Sequence, residues 1–209
     1  MILAIDTTHE FGSLALVSRG EVVKEVLLHA PDGFGQILFG QLARLSRPLK
    51  EIECFAAAAG PGSFTGVRIG LACVKGLAEA CARPVVAVSN LEALAMFGTA
   101  PLRAVFLDAR RGEIYGALYN ARLEAVQPEV VMKFTQWLAG LPASGVEFIT
   151  TGGDPFRAHL PSITEAPRAL AGAVGRIAEI RFAAGLAADP AAIDANYVRR
   201  SDAELMWKE

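Results

Sequence analysis

Histidine is scarce in this chain of 209 residues: there are three, His9, His29 and His159. None forms the His-x-x-x-His pair that places two imidazoles on one helical face for a metal. Cysteine is equally sparse. Cys54, Cys73 and Cys81 are odd in number and lack metal-ligand spacing, which fits reduced thiols in a cytosol rather than a disulfide framework. Their simplest role is as small buried apolar side chains. There is no run of about 20 consecutive apolar residues, so no membrane helix is expected. No basic n-region precedes the first apolar run, and Asp6 interrupts it, so that run does not read as a secretory signal. The net charge is −2 and no run of Lys and Arg stands out. A protein that binds nucleic acid alone usually shows a basic patch; if this one works on RNA, something else is expected to hold the RNA.

The chain is 53% hydrophobic and 20% charged, with a mean hydropathy of +0.36. Its length suits one large domain or two small lobes, with enough chain to bury a real core. Without a membrane helix, the apolar excess is better explained by contact between subunits.

The remaining features centre on Gly60–Cys81, GPGSFTGVRIGLACVKGLAEAC. Gly60, Pro61 and Gly62 make a turn, and Ser63 or Thr65 can cap the helix that follows. From Phe64 onward there are about five helical turns. Only Arg68, Lys75 and Glu79 are charged there, and Phe64, Val67, Ile69, Leu71, Val74 and Leu77 lie on more than one face, so the helix is expected to be buried on more than one side. Gly62, Gly66 and Gly70 recur every fourth residue and form a smooth ridge, which predicts a second helix packed close against it.

Elsewhere the pattern alternates between strand and helix. Met1–Asp6 reads as a buried strand ending in a carboxylate. Ser13–Ser18 and Glu21–His29 read as two more, joined by a tight turn at Arg19-Gly20. A helix is expected over Gln36–Arg47, with Ile37, Leu38, Leu42 and Leu45 on one side and Phe39 on another. Ile52–Ala59 and Pro84–Val88 are strands, and Ser89 caps a helix through about Phe97. Gly98–Pro101 is the expected lobe boundary, dividing residues 1–98 from 99–209. Beyond it, Arg103–Ala109 and Glu113–Tyr119 are strands joined by a turn at Arg110, Arg111 and Gly112. Val126–Lys133 and Val146–Thr150 are strands, and Phe134–Ala139 a short helix. Gly152-Gly153 is a turn before a helix, and Leu170–Ala184 is the last long helix. That helix or the tail from Asn196 is a candidate to pack back on the first lobe. Strands followed by helices in both halves indicate an α/β fold of two similar layers.

Signals for chemistry are thin. Asp6 ends the first strand, where an actin-like ATPase holds metal-nucleotide. Here the order is Asp6-Thr7-Thr8, with Gly12 only later, so a role in hydrogen-bonding its own loop is the stronger reading. The GPGSFTG turn lacks the Lys of a phosphate-binding G-x-x-x-x-G-K-[ST] loop. Ser63 and Asp108 with a histidine have no triad spacing, and there is no G-x-S-x-G elbow. Asp108-Ala109-Arg110-Arg111-Gly112-Glu113 concentrates charge in one turn, either a solvated turn with internal ion pairs or a docking surface.

Four segments together, ILAIDTT, GPGSFTGVRIGLACVKGLA, DARRGEIYGALY and NYVRRSDAE, resemble the TsaB (YeaZ) family in the same order and over essentially the whole chain. The resemblance implies a two-lobed actin/hexokinase/Hsp70-like fold, each lobe a mixed sheet flanked by helices. It implies a cytoplasmic, non-catalytic subunit that supports a TsaD-type transferase in making threonylcarbamoyladenosine on tRNA. A TsaE-type ATPase is expected as a third protein, with a homodimer when the chain is alone and tRNA reached only through the complex. No cofactor is expected on this subunit alone; ATP or ADP and metal belong to its partners. The implied subunit interface comprises Ile37, Leu38, Gln41 and Leu42 of the first helix, with Phe64, Thr65, Val67, Arg68, Leu71, Val74 and Lys75 of the second. Asp6, Thr8, Asp108, Arg110, Arg111 and Glu113 are candidates for a nucleotide-side or docking role. The chain departs from the family pattern at Pro31-Asp32-Gly33-Phe34-Gly35, just before the first helix. The alternative is a stand-alone ATP-dependent phosphotransferase of the same superfamily. A metallopeptidase needs a metal site, and none is readable.

Overall fold

The unbroken apolar run after Met1 becomes β1, Ile2–Asp6, with every residue buried. A strand apolar on both faces must be covered on both faces, and β1 is the centre of a five-stranded sheet. In this computed structural model, which describes residues 1–199, β1 pairs antiparallel with β2 (Phe11–Ser18) and parallel with β4 (Cys54–Ala58). Beyond these lie β3 (Glu21–His29) and β5 (Val85–Val88), giving the order β3-β2-β1-β4-β5. The expected turn at Arg19-Gly20 is present. Ser18 pairs with Glu21, and both turn residues have positive φ, the geometry that matches strand twist in a two-residue hairpin.

The second sheet repeats this plan. β6 (Leu102–Arg110) lies between antiparallel β7 (Glu113–Asn120) and parallel β9 (Val146–Thr150). With β8 (Ala125–Lys133) and the short β10 (Thr164–Glu165) the order is β10-β9-β6-β7-β8. Each lobe is thus a three-strand meander followed by two parallel crossovers.

Helices fill the layers. Successive strand residues point to opposite faces, so Leu3 and Ile5 pack under α1 (Leu38–Leu42) and α2 (Phe64–Cys81). Ile2 and Ala4 pack on α3 (Asn90–Ala95) and α5 (Ala171–Ala183). The same central cluster takes Val105, Ala117 and Ile149 from the second sheet, so α3 and α5 are sandwiched between the two sheets. The last long helix therefore lies on the first lobe's sheet. α4 (Phe134–Ala139) covers the outer face of the second sheet with Phe134 and Trp137.

Two expectations are corrected. The first helix is much shorter than Gln36–Arg47: α1 has five residues, continues as a 3-10 turn over Ala43–Leu45, and stops at Ser46 in the left-handed conformation. Its N-terminus has no side-chain cap, Gly35 and Gly40 weaken helical propensity, and Pro48 disfavours helix at the residue before it. The second correction concerns the glycine ridge, which receives the chain's own Thr7-Thr8 turn rather than another helix. A Cβ on Gly62 would stand 2.6 Å from the Thr8 carbonyl oxygen, one on Gly66 would strike that of Thr7, and one on Gly70 would lie 2.6 Å from Thr7 Oγ1.

Candidate functional site

Asp6 is fully buried at the end of β1. Its Oδ1 accepts the backbone N–H of Thr8 at 2.9 Å and the Thr8 hydroxyl at 2.6 Å. Its Oδ2 accepts the N–H of Leu170, just before α5, at 2.9 Å. Burial pushes its carboxyl above the usual range, and the Thr8 and Leu170 donors oppose that rise. Asn90 donates to Thr8 Oγ1 at 2.5 Å and accepts the N–H of Gly60 at 3.0 Å. With the Thr7 hydroxyl donating to the Gly66 carbonyl at 2.7 Å, the Asp6-Thr7-Thr8 turn is tied to α2, α3 and α5 at once, and both oxygens of the carboxylate are engaged within the protein.

In front of this node a cleft of about 690 Å³ opens between the lobes. Thr8, His9, Ser63, Asn90 and Arg168 line it from one side, and Asp108, Arg110 and the Thr150–Gly152 segment from the other. Ser63, Asp108 and His9 are thus brought to one cavity, yet each is committed locally. Ser63 Oγ caps α2 by accepting the N–H of Gly66 at 3.2 Å. Asp108 Oδ1 accepts the N–H of Arg110 at 2.8 Å, and His9 Nδ1 accepts that of Phe11 at 3.2 Å. Among the described residues no group of three or more His, Cys, Asp or Glu is placed to hold a metal.

Beside the cleft lies a groove of about 800 Å³ where three distant motifs meet. Phe64 and Arg68 come from the first turns of α2, Arg110, Arg111 and Tyr115 from the β6–β7 hairpin, and Asn196–Arg199 from the C-terminal segment. Arg68 lies 3.7 Å over the Phe64 ring and donates its Nε–H to the Tyr197 hydroxyl at 2.9 Å. Arg199 donates to the Ala109 carbonyl at 2.9 Å and pairs with Glu113. Arg110, Arg111 and Gly112 all have positive φ, so the turn is sharply curled and both arginines project as exposed residues. Glu113, a candidate docking residue, thus positions Arg199. The NYVRR segment was legible as a motif, but the part played by Tyr197 and Arg199 was not, because their neighbours are more than eighty residues away. The charged tail from residue 200 lies outside the described residues.

The interface candidates divide by burial. Leu38, Val67, Leu71 and Val74 are 5% exposed or less, packed into the core beneath their own sheet. Ile37, Gln41, Leu42 and Lys75 are half-buried, and Phe64, Thr65 and Arg68 are exposed. The surface face of α2 therefore runs through Thr65, Arg68, Ala72 and Gly76, residues at helical spacing that are all open. Alongside α1, Phe39 is 67% exposed. Neither Ala72 nor Phe39 stands among the expected interface residues. The sequence places Phe39 on another side of α1 from Ile37, Leu38, Leu42 and Leu45.

Comparison with known proteins bears on this arrangement. A family model described as TsaD, tRNA N6-adenosine threonylcarbamoyltransferase, matches residues 40–189. The tRNA threonylcarbamoyladenosine biosynthesis protein TsaB of Bacillus subtilis is 30% identical over 226 aligned positions, spanning 100% of this chain and 98% of that protein. The Escherichia coli protein of the same name is 36% identical, over 72% of this chain and 70% of its own length. Among solved structures, YeaZ from Pseudomonas aeruginosa aligns with a TM-score of 0.78 at 27% identity, covering 94% of this chain and 98% of that one. With its two five-stranded mixed sheets flanked by helices, this chain belongs to the TsaB (YeaZ) family.

Proposed function

We propose that this chain is a non-catalytic subunit of the machinery that makes threonylcarbamoyladenosine on tRNA, and that it binds a TsaD-type transferase through the outward face of α1 and α2. The observation that carries this reading is the face itself. α2 is covered by its own sheet on one side, while Phe39, Phe64, Thr65, Arg68, Ala72 and Gly76 stay open on the other. Ala72 and Gly76 are small, so a partner helix can approach the α2 backbone closely, and Phe39 of α1 is a further open apolar side chain. A stable interface of this kind removes about 800 Å² per partner from water, at roughly 25 cal/mol per Å² of apolar area before the costs of association. Binding then favours one arrangement of the transferase's lobes, a shift of equilibrium rather than a chemical step. The same face serves for self-association when the chain is alone, and a TsaE-type ATPase joins the assembled pair. The non-catalytic reading is supported by Ser63, Asp108 and His9, each hydrogen-bonded within its own loop, and by Asp6, whose two oxygens are taken up by Thr8 and Leu170.

Size-exclusion chromatography with the transferase subunit tests this. Ala72→Glu places a charge on the open strip and is expected to abolish co-elution while the variant keeps its unfolding temperature. Leu71→Glu, one residue away but buried, is expected to prevent folding instead. An Ala72→Glu chain that still forms the complex would remove the face from the interface. Micromolar Mg-ATP binding by the isolated chain, read by calorimetry, would favour the phosphotransferase alternative.

A further inference from the structure

The linear sequence shows no basic run, yet the fold assembles one. Arg68, Arg110, Arg111 and Arg199 come from three separate segments to line a single groove, together with the rings of Phe64, Tyr115 and Tyr197. No carboxylate side chain appears among the described residues lining it. In a chain of net charge −2 folding alone brings these arginines together, with Arg199 ion-paired to Glu113. Building on the function proposed above, we infer that this groove is a docking site for a single-stranded stretch of the RNA substrate, so that this subunit touches RNA directly.

The chemistry favours RNA on two independent counts. Guanidinium groups meet phosphate with charge-assisted, often paired hydrogen bonds, which accounts for the arginines. Aromatic rings give unstacked bases a platform, a combination characteristic of grooves that hold single strands without reading sequence. Phe64 is 45% and Tyr197 48% exposed, so both present open ring surface. Their centroids lie 5.7 Å apart, with Arg68 held over Phe64. An acidic peptide would use the arginines but not the open ring surface of Phe64 and Tyr197. The groove is also built rather than accidental. Arg199 is fixed by the Ala109 carbonyl and by Glu113, and the Tyr197 hydroxyl accepts from Arg68. It also adjoins the open face of α2 through Phe64 and Arg68, so a bound strand would run along the rim of the proposed subunit interface.

Fluorescence anisotropy with a labelled 12-nucleotide single-stranded RNA, titrated with the full chain and with its complex with the transferase subunit, tests the inference. Binding is expected to weaken with salt at a log–log slope of about −2, near −0.7 for each of three phosphate contacts. Arg110→Ala should make that slope shallower by about 0.7. Tyr197→Ala should lower affinity at least about fivefold and leave the slope unchanged. Both side chains are exposed, and thermal melts of the variants confirm folding. Absence of RNA binding by both chain and complex would overturn the inference, as would unchanged affinity in both variants. So would displacement of the RNA by millimolar ATP, which would mark a free-nucleotide site, or by polyglutamate at equal charge, which would mark a peptide site. Co-elution of each variant with the transferase is measured in parallel. A complex that forms but shows no groove-dependent RNA binding defeats this inference alone, whereas loss of the wild-type complex defeats the function on which it rests.

Discussion

Asp6 shows how much one side chain can fix. Its two oxygens accept three donors, two from Thr8 and one from Leu170, so β1, its turn and the start of α5 share one acceptor. Asparagine there keeps the oxygen that faces Thr8 but turns an amide donor toward the Leu170 N–H. Asp6→Asn is expected to cost about 1–3 kcal/mol, the penalty for an unsatisfied buried donor, read from urea unfolding. The cysteines give a second residue-scale test. Burial pushes the Cys54 thiol up to about 12 and Cys73 to about 11, so neither forms appreciable thiolate near pH 8, and thiolate is the reactive form. Native protein at pH 8 should titrate one thiol rapidly with a disulfide reagent, Cys81, which is only half-buried. All three should titrate in denaturant. Rapid reaction of all three in the native state would contradict the packing. The cysteine assignment was readable because an odd, unspaced set leaves little else for cysteines to do. The bonding of Asp6 was readable only in outline: its position at a strand end is local, but its Leu170 partner lies 164 residues away.

Among the elements, α2 came through most clearly. Its Gly-Pro-Gly turn, Ser63 cap and 18-residue span all follow from local rules. What lay against its glycines did not, because a run of small residues admits close approach without naming what approaches. The pair Gly66→Ala and Gly76→Ala separates the two sides of the helix. A methyl group at Gly66 collides with the Thr7 carbonyl, and overpacking of that kind costs about 1–3 kcal/mol or more. At Gly76 nothing lies within 4 Å, and alanine should stabilise the isolated chain by roughly 0.5–1 kcal/mol through helix propensity. Chemical denaturation of the two variants reads both signs, and equal destabilisation would mean the faces are assigned the wrong way round. α5 uses the same device: Gly175 lets it settle onto β1 and β2, where a Cβ would stand 3.2 Å from that of Ala4. α1 was over-read for the opposite reason. Its apolar spacing continues to Leu45, but uncapped ends, two glycines and Pro48 stop the helix early, and periodicity alone does not register that cost.

On the scale of the whole molecule, the two sheets share one topology, and the sequence announced this through matching strand–helix order in its halves. How the halves are joined depends on polar side chains too far apart to be paired by spacing. Glu129 of β8 is the clearest case. Its Oε1 accepts the hydroxyls of Ser89 and Tyr119, the latter at 2.8 Å, and its Oε2 accepts the Asn196 amide at 2.6 Å. Ser89 caps α3 through the N–H of Leu91 at 3.1 Å, and the backbone N–H of Asn196 donates to the Ala59 carbonyl of the first lobe at 2.8 Å. One carboxylate thus holds the second sheet, the inter-sheet helix layer and the C-terminal segment together. From there the segment runs on to Arg199 and the β6–β7 hairpin. Glutamine at 129 retains one acceptor for the hydroxyls but faces the Asn196 amide donor to donor. Glu129→Gln should therefore cost about 1–2 kcal/mol, a fall of roughly 2–8 °C in unfolding temperature for a chain of this size. Hydrogen exchange should locate the effect: amides of residues 196–198 exchange faster in the variant, while those of β1, held by both neighbouring strands, do not change. Uniform acceleration across both sheets would mean that Glu129 supports the core in general, and unchanged exchange at 196–198 would mean that the segment is held by its backbone bonds and Arg199 without it.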